Sequence, residues 1–330
     1  MLIRQMKKHY VRLISFAVVL LTVVAAAQCK SVKPKKYTIG IINTNPQLEA
    51  VVAGFKSGLS KFGYLEGKNV EYVHKMTPPD HDQIDSALRE VLSKKPDMLF
   101  ACTGPVARRA KKLTAENTVP IVFAPVYYPV KSGLVESLSR PGPNITGIQI
   151  GGSAANALQW LLTVDPRVKR IYVPFDTTQD VAAKYSLEDL EEGARKLGVE
   201  LVVSKVSTVK ELVAALNAIP RNVHAVWLLN SPLLVSNVTE YVKAANRLRL
   251  PTASSTSQSG AGILITYGQE SFRTGEQASF LAHKILSGTR PSDLPVETSD
   301  YFLGINLQTA KALGLEIPET ILKQAHFLTR

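Results

Sequence analysis

The chain has 330 residues, of which 45% are hydrophobic and 20% charged, and this is enough for two globular domains with their own apolar cores. Its formal net charge of +12 is spread along the sequence, and no basic stripe with interleaved aromatic residues indicates a nucleic-acid partner. Only two cysteines are present, so core burial, and not a disulfide framework, must hold the fold together.

The first 28 residues have the pattern of a secretory signal peptide. Four cations and no acidic residue precede an uncharged apolar run over residues 13–27, which ends in three alanines. This run is shorter than the roughly 20 residues of a comfortable membrane-spanning helix. We therefore expect export with removal of residues 1–28, which takes away the four cations and lowers the net charge from +12 to +8. A single N-terminal anchor helix is the alternative.

Cys29 stands directly after this segment and resembles the lipid-modified cysteine of bacterial lipoproteins. Two neighbours depart from the lipoprotein pattern, because Ala26 stands three positions before the cysteine and the bulky Gln28 immediately before it. Cleavage after Ala27 would instead leave an untethered periplasmic protein. We expect lipidation of Cys29, which would anchor the protein to the cell membrane through residues 29–36 as a polar tether.

Short apolar runs then alternate with amphipathic segments. In residues 48–62, for example, the apolar side chains follow the 3, 4 spacing of a helix with one buried face. Alternating strands and helices predict βαβ units and parallel sheets that are covered on both faces. In this first part the predicted strands span residues 37–42, 69–74, 98–102 and 121–124, and the predicted helices span residues 48–62, 83–93, 105–114 and 133–138.

A proline- and glycine-rich segment at residues 140–144 interrupts the alternation, which then restarts. The predicted strands of the second part span residues 170–175, 200–205, 225–229, 252–255, 262–267 and 301–305, and the predicted helices span residues 154–162, 182–197, 209–218, 238–247, 271–286 and 307–313. We predict an α/β fold of two doubly wound parallel-sheet lobes. Residues 37–146 and 268–300 form the first lobe, and residues 147–267 and 301–330 form the second.

The common catalytic and cofactor signatures are absent from the sequence. The segment from Gly63 to Lys68 has one residue too few between its glycines for a phosphate loop, and it lies between a helix and a strand in the wrong order. No Gly-x-Gly-x-x-Gly follows the first strand, no Gly-x-Ser-x-Gly occurs, and the six histidines lack metal-ligand spacing. We therefore expect neither catalytic activity nor a metal ion or cofactor.

Polar and aromatic residues gather instead where the predicted strands end. Ligands of open α/β sheets bind outside the carboxyl ends of the strands. Neutral donors and acceptors, aromatic rings and one carboxylate suit a small polar molecule, although such residues also cap the helices that follow. The candidate ligand-binding residues are Asn43, Thr44, Asn45, Thr103, Gly104, Tyr127, Tyr128, Asp176, Thr177, Asn230, Ser231, Ser254, Ser255 and Tyr267. Cys102 lies in an apolar run, and we expect it to be a buried core residue.

Three ordered motifs resemble those of one family. Residues 121–126 read Ile-Val-Phe-Ala-Pro-Val, and residues 129–147 read Pro-Val-x-x-Gly-Leu-Val-x-Ser-Leu-x-Arg-Pro-Gly-x-Asn-Ile-Thr-Gly. An earlier turn at residues 63–70 reads Gly-Tyr-x-Glu-Gly-Lys-Asn-Val, and a C-terminal signature combines Asp-Leu-Pro-Val-Glu at residues 293–297 with Ile-Asn-Leu-x-Thr-Ala-Lys-Ala-Leu-Gly at residues 305–314. They resemble the ABC transporter substrate-binding proteins, a family that includes tryptophan- and tyrosine-uptake binding proteins.

The resemblance implies a type I periplasmic-binding-protein fold, in which two lobes joined by three hinge crossings close on a ligand. It also implies an ABC permease and an ATPase as partners, with no enzymatic activity. We expect a solute-binding protein that captures a small polar ligand, which the tyrosines would suit if it carries a flat ring. The alternative is a sensory protein that reports ligand occupancy to a membrane receptor, because the same fold serves both functions.

Two positions depart from the family pattern. The family usually has Asp-Pro-Val where this chain has Tyr-Pro-Val from Tyr128, and it commonly has Thr-Asp-Asn around Asn230. The first change removes a partner for a ligand ammonium group, which Asp176 in the other lobe could replace. We expect Tyr127 or Tyr128 to stack on the ligand, and Asn230 and Asp176 to bind it by hydrogen bonds. The alternative is that the tyrosines pack in the hinge and Asp176 caps a helix.

Overall fold

The computed structural model describes residues 35–116, 119–178 and 181–330. The predicted signal peptide, Cys29 and most of the predicted tether lie outside these ranges. Residues Thr38–Arg330 form one compact unit. Within the described ranges, no helix combines the length and the apolar character that crossing a membrane requires.

The elements alternate along the chain as the apolar pattern predicts. The strands are β1 (Tyr37–Asn43), β2 (Val70–Met76), β3 (Met98–Ala101), β4 (Ile121–Tyr127), β5 (Ile145–Ile150), β6 (Arg170–Asp176), β7 (Glu200–Val206), β8 (Ala225–Leu228), β9 (Thr252–Ser254), β10 (Ile265–Gln269), β11 (Glu297–Thr298), β12 (Tyr301–Asn306) and β13 (Phe327–Thr329). The helices are α1 (Glu49–Lys61), α2 (His81–Ser93), α3 (Gly104–Leu113), α4 (Ala154–Val164), α5 (Val181–Leu197), α6 (Val209–Asn217), α7 (Pro232–Val235), α8 (Val238–Leu248), α9 (Ser271–Leu286), α10 (Leu307–Leu313) and α11 (Glu319–Leu322).

Two sheets organise these strands. The first has the order β11-β5-β4-β3-β1-β2, and its pairings from β11 across to β1 are parallel. The second has the order β13-β12-β10-β9-β8-β6-β7, in which β10 and β12 pair antiparallel and the other pairings are parallel. Central strands such as β3 and β8 are buried at every residue, as parallel strands covered on both faces require.

The chain passes between the two sheets three times. It leaves the first sheet after β5, returns to it between β10 and β11, and leaves it again between β11 and β12. These crossings are those of a three-crossing hinge between two α/β lobes. The exact lobe boundaries stay a prediction, and the first of them, at residues 146 and 147, falls within β5.

Helix α9 follows β10 of the second sheet but packs against α1 of the first lobe. The two helix backbones touch at glycines, because a Cβ atom added at Gly275 would lie 2.0 Å from the carbonyl oxygen of Val51. A Cβ atom at Gly54 would likewise lie 1.9 Å from the carbonyl oxygen of Phe272. Only glycine permits this separation, so α9 covers the first sheet from a distant part of the sequence.

Apolar side chains fill both lobes. Phe55, Phe100 and Phe123 are fully buried in the first lobe, and Trp227 and Tyr241 are fully buried in the second. The sequence-based prediction for Cys102 is confirmed, because its side chain has no exposed surface. Burial raises the pKa of its thiol far above the ordinary value, as expected for an unreactive core cysteine.

The short helix predicted at residues 133–138 is wrong. This segment forms turns, in which the N–H groups of Leu134 and Val135 both donate to the carbonyl oxygen of Pro129. The apolar pattern arises because these two side chains are buried. Glycine and proline nearby prevent the turn from continuing as a helix. Strand β5, which directly follows the proline-rich segment, was not predicted.

Candidate functional site

The candidate residues at the end of β1 mostly form hydrogen bonds with groups nearby in the sequence. Asn43 is fully buried, its Nδ2 atom donates to Glu49 Oε1 at 2.8 Å, and its Oδ1 atom accepts the N–H of Asn45 at 3.0 Å. Asn45 in turn accepts the N–H of Gln47 through Oδ1 at 2.9 Å, which caps a short 3-10 turn. These contacts are the capping arrangement that the sequence leaves as the alternative to ligand binding.

Thr44 and Thr103 bring the ends of β1 and β3 together, with their Oγ1 atoms 3.4 Å apart. Thr103 has a φ of +96°, a conformation that favours glycine, and α3 begins directly after it. A Cβ atom on Gly104 would lie 3.3 Å from Nη1 of Arg108. The guanidinium group of Arg108 therefore lies against the backbone at the carboxyl edge of the first sheet.

Arg108 differs from the adjacent Arg109 in having no acidic partner among the described residues. Arg109 pairs with Asp85, and Lys111 donates to the carbonyl oxygen of Leu134 at 2.8 Å. Arg108 is partly buried, which lowers the pKa of its guanidinium below the ordinary value. In the part of the chain that the structure describes, no carboxylate lies within ion-pair distance of it. Within the described ranges, the guanidinium group of Arg108 is therefore a candidate to bind an anionic group.

Tyr127 and Asn230 meet across the two lobes. Tyr127 is the last residue of β4 in the first sheet, and Asn230 follows β8 in the second. Nδ2 of Asn230 donates to Oη of Tyr127 at 2.9 Å. The N–H of Asn230 donates to Oγ of Ser186 at 3.1 Å, which orients the residue from α5. Two candidate residues that are 103 positions apart are thus brought together at facing strand ends.

Tyr128 also reaches the second lobe. Its hydroxyl donates a short hydrogen bond to Oδ1 of Asp189 on α5, whose Oδ2 accepts the N–H of Gly152 at 2.6 Å. Its ring lies edge-on to that of Tyr185, with 5.8 Å between the centroids. Burial raises the pKa of the Asp189 carboxyl, although the hydrogen bond from Tyr128 opposes this shift.

Asp176 and Thr177 end β6 and bond within the second lobe. Asp176 is 2% exposed, and its Oδ1 atom accepts the N–H of Thr178 at 2.9 Å and its hydroxyl at 2.6 Å. The N–H and the hydroxyl of Thr177 both donate to the carbonyl oxygen of Val206, at 2.8 and 3.1 Å. These bonds stabilise the turn directly after β6, and capping of α5 by Asp176 stays a prediction. A ligand contact by either residue stays a prediction.

The three candidate serines are buried in the second lobe. Oγ of Ser231 accepts the N–H of Leu234 at 3.1 Å and caps α7. Oγ of Ser254 donates to the carbonyl oxygen of Leu228 at 2.9 Å, and Ser255 follows with 5% of its surface exposed. These serines lie at strand ends as predicted, but the hydroxyls of Ser231 and Ser254 bond to the backbone around them.

Tyr267 lies in β10 and stacks on Tyr301, the first residue of β12, with 5.9 Å between the ring centroids. The hydroxyl of Tyr301 accepts the N–H of Gly151 at 2.7 Å and donates to its carbonyl oxygen at 2.9 Å. Burial raises the pKa of Tyr301 to about 12. These tyrosines therefore join two of the chain crossings, after β5 and before β12.

Sequence reasoning missed the charged residues of this region. Arg108 and Asp189 lie inside helices, where charged residues ordinarily belong to a solvated face, and Tyr185 and Tyr301 do not follow a strand. The only available signal was helical spacing, because Tyr185 and Asp189 are four residues apart and lie on the same face of α5. In the described ranges, no histidine, cysteine and carboxylate side chains gather in a group that could hold a metal ion.

A cavity of about 500 Å³ opens beside Arg108 on the first lobe, and its other lining residues include Lys111, Leu134 and Asn144. None of the strand-end candidates lines it. We place the candidate site instead where the lobes face each other, because Tyr127 and Tyr128 of the first lobe meet Asn230 and Asp189 of the second there. In this arrangement the contacts from Tyr127 and Tyr128 already join the two lobes.

Comparison with known proteins adds independent findings. The family model described as ABC transporter substrate binding protein matches residues 37–328. A tyrosine-binding protein of Clostridioides difficile is 30% identical over 288 residues, which cover 87% of this chain and 83% of that protein.

Two solved structures are also similar. An ABC domain from Streptococcus pneumonia in complex with L-Trp has a TM-score of 0.78 at 22% identity, covering 89% of this chain and 100% of that one. The ligand-free, open structure of a substrate binding protein with adhesive properties from Clostridium difficile has a TM-score of 0.74 at 28% identity, covering 89% and 99%. The two-lobed architecture is therefore shared over nearly the whole described chain.

Proposed function

Because this chain belongs to the ABC transporter substrate-binding protein family, we propose that it captures a small polar ligand with an aromatic ring between its two lobes and delivers it to an ABC permease and its ATPase. The family resemblance and the two-lobed type I periplasmic-binding-protein fold that the motifs predict are confirmed. The family comprises substrate-binding proteins and not enzymes.

The observation that carries this proposal is the meeting of Tyr127 and Asn230 across the lobes. A hydrogen bond of 2.9 Å joins the strand ends of both sheets there. A ligand at this position contacts both lobes at once, so its binding free energy favours the closed arrangement over the open one. Tyrosine rings provide flat apolar surface with a polar edge, which suits a ligand that carries a ring and hydrogen-bonding groups.

The polar groups of Arg108 and Asn230 narrow the proposed ligand class to an aromatic amino acid. The guanidinium group of Arg108 offers paired donors that match a carboxylate. The amide oxygen of Asn230 is an acceptor for an ammonium group. The tyrosine-binding relative, 30% identical to this chain, supports the same class.

Calorimetry with L-tyrosine, L-tryptophan and L-phenylalanine tests this proposal, with L-glutamate and L-arginine as controls that lack an aromatic ring. We expect at least one aromatic amino acid to bind and to raise the melting temperature, because a ligand at 100 times its Kd stabilises the folded state by about 2.7 kcal/mol. Binding of none of the three, or equal binding of all five, would contradict the proposed ligand class.

We further propose that the protein is exported and held at the cell membrane by a lipid on Cys29. The family is one of extracytoplasmic proteins, and the sequence around Cys29 supports lipidation. Cys29→Ala should move the protein from the membrane fraction to the soluble fraction, with unchanged ligand affinity. Unchanged membrane association of this variant would contradict the anchor, and so would an intact mass that begins at Gln28.

A further inference from the structure

The contact between Tyr128 and Asp189 joins three separate parts of the fold. Tyr128 follows β4 of the first sheet, Asp189 lies on α5 of the second lobe, and Gly152 belongs to the first chain crossing after β5. The carboxylate uses one oxygen for the phenol of Tyr128 and the other for the N–H of Gly152. Both oxygens are therefore engaged by groups that the hinge brings together.

The local backbone is shaped for this contact. Tyr128 has a φ of +39°, a rare conformation for a residue with a side chain, which persists only where the surroundings determine it. The ring lies over Gly151, where an added Cβ atom would be 2.6 Å from the ring carbon Cζ. Gly151 and Gly152 have φ values of +120° and +81°. Two glycines thus make room for the ring and present the N–H that Asp189 accepts.

A charged pair lies beside the contact between Tyr128 and Asp189. Lys131 pairs with Glu188 of α5 at 2.6 Å, and its ammonium group lies 5.3 Å from the ring centroid of Tyr128. Tyr128 and Asp189 are each partly buried, and burial raises the pKa of both groups. A hydrogen bond between two such groups is shielded from water and is stronger than one at the surface. The Lys131 pair is more exposed and contributes less.

We propose that Tyr128 and Asp189 form an interlobe latch, which holds the two lobes in the closed arrangement in the absence of ligand. Both are positioning residues, because the phenol oxygen and the carboxylate bind each other across the hinge. The latch increases the fraction of molecules in the closed, binding-competent arrangement. The apparent Kd is the intrinsic Kd divided by this fraction, so it falls as the fraction rises. The proposed latch rests on the proposed function, since the latch concerns closure of the same cleft. It assigns Tyr128 to closure instead of to stacking on the ligand.

Small-angle scattering of the ligand-free mature protein tests the latch directly. Tyr128→Phe removes the phenol and Asp189→Ala removes the carboxylate, so each eliminates the hydrogen bond and both should increase the radius of gyration. Tyr185→Phe is the matched control. It alters a neighbouring phenol in ring contact with Tyr128 and leaves the hydrogen bond between Tyr128 and Asp189 in place. The radius of gyration of this control should equal that of the wild type.

Calorimetry with L-tyrosine gives the second measurement. Each single variant should raise the Kd about tenfold, and the double variant should raise it no further than the Asp189 variant alone, because both changes remove the hydrogen bond between Tyr128 and Asp189. An unchanged radius of gyration in both single variants would overturn the latch, and so would additive effects on the Kd. Scattering needs no ligand, so it decides the latch even if L-tyrosine does not bind and the proposed ligand class fails.

Discussion

Gly275→Leu is expected to lower the free energy of unfolding by about 3 kcal/mol, the upper end of the usual cost of overpacking. A Cβ atom at this position would lie 2.0 Å from the carbonyl oxygen of Val51 and 2.7 Å from the nitrogen of Phe55. Both are backbone atoms of α1, which cannot move aside as a flexible side chain can. Urea denaturation followed by circular dichroism measures the change.

Ala53→Leu is the matched control, because Ala53 lies on the exposed face of the same helix α1. This variant should unfold within about 0.5 kcal/mol of the wild type, as surface substitutions usually do. If Gly275→Leu were as stable as Ala53→Leu, the backbones of α1 and α9 would not be in contact, and the assignment of α9 to the first lobe would be wrong.

Arg108→Ala is expected to weaken binding of an aromatic amino acid at least thirtyfold, or about 2 kcal/mol, because hydrogen bonds between charged groups contribute more than neutral ones. The guanidinium group lies at the edge of the first sheet with no acidic partner in the described ranges. Arg108→Lys should restore only part of the affinity, since an ammonium group cannot form the paired bonds to a carboxylate. Calorimetry with the amino acid that binds best measures both variants.

Arg109→Ala provides the comparison on the same helix. Arg109 pairs with Asp85 and holds the pKa of that carboxyl below its usual range, so its loss should affect stability and leave the affinity within about twofold of the wild type. Equal losses of affinity in the two variants would indicate a general effect of positive charge. An affinity change of less than threefold in Arg108→Ala would contradict a direct contact with the ligand.

Much of the fold follows from local sequence patterns. The spacing of apolar residues in α1 predicts its buried face, and Gly63 ends the helix with a φ of +87°. The turn at residues 133–138 shows the limit of this reasoning, because Leu134 and Val135 are buried without helical structure. Strands as short as β11 and β13 carry too few residues for any period to be recognised.

The sequence predicts where the candidate site lies better than it predicts which side chains form it. Tyr127 and Asn230 follow strands, so the rule for open sheets locates them and the structure brings them together. Asn45 and Ser231 also follow strands, yet their side chains cap the next element. Asp189 was not recognised, because it stands among the acidic residues Glu188, Glu191 and Glu192 and its partner Tyr128 lies 61 residues away in sequence.

The three crossings between the sheets have a consequence for the order in which the protein can fold. The first lobe is incomplete until α9 has been made, and the second sheet lacks β12, which lies between β10 and β13, until the chain has passed Asn306. Neither lobe can therefore mature as an independent unit at the ribosome, as the domains of many larger proteins do. Both sheets therefore reach their full set of pairings only when nearly the whole chain has been made.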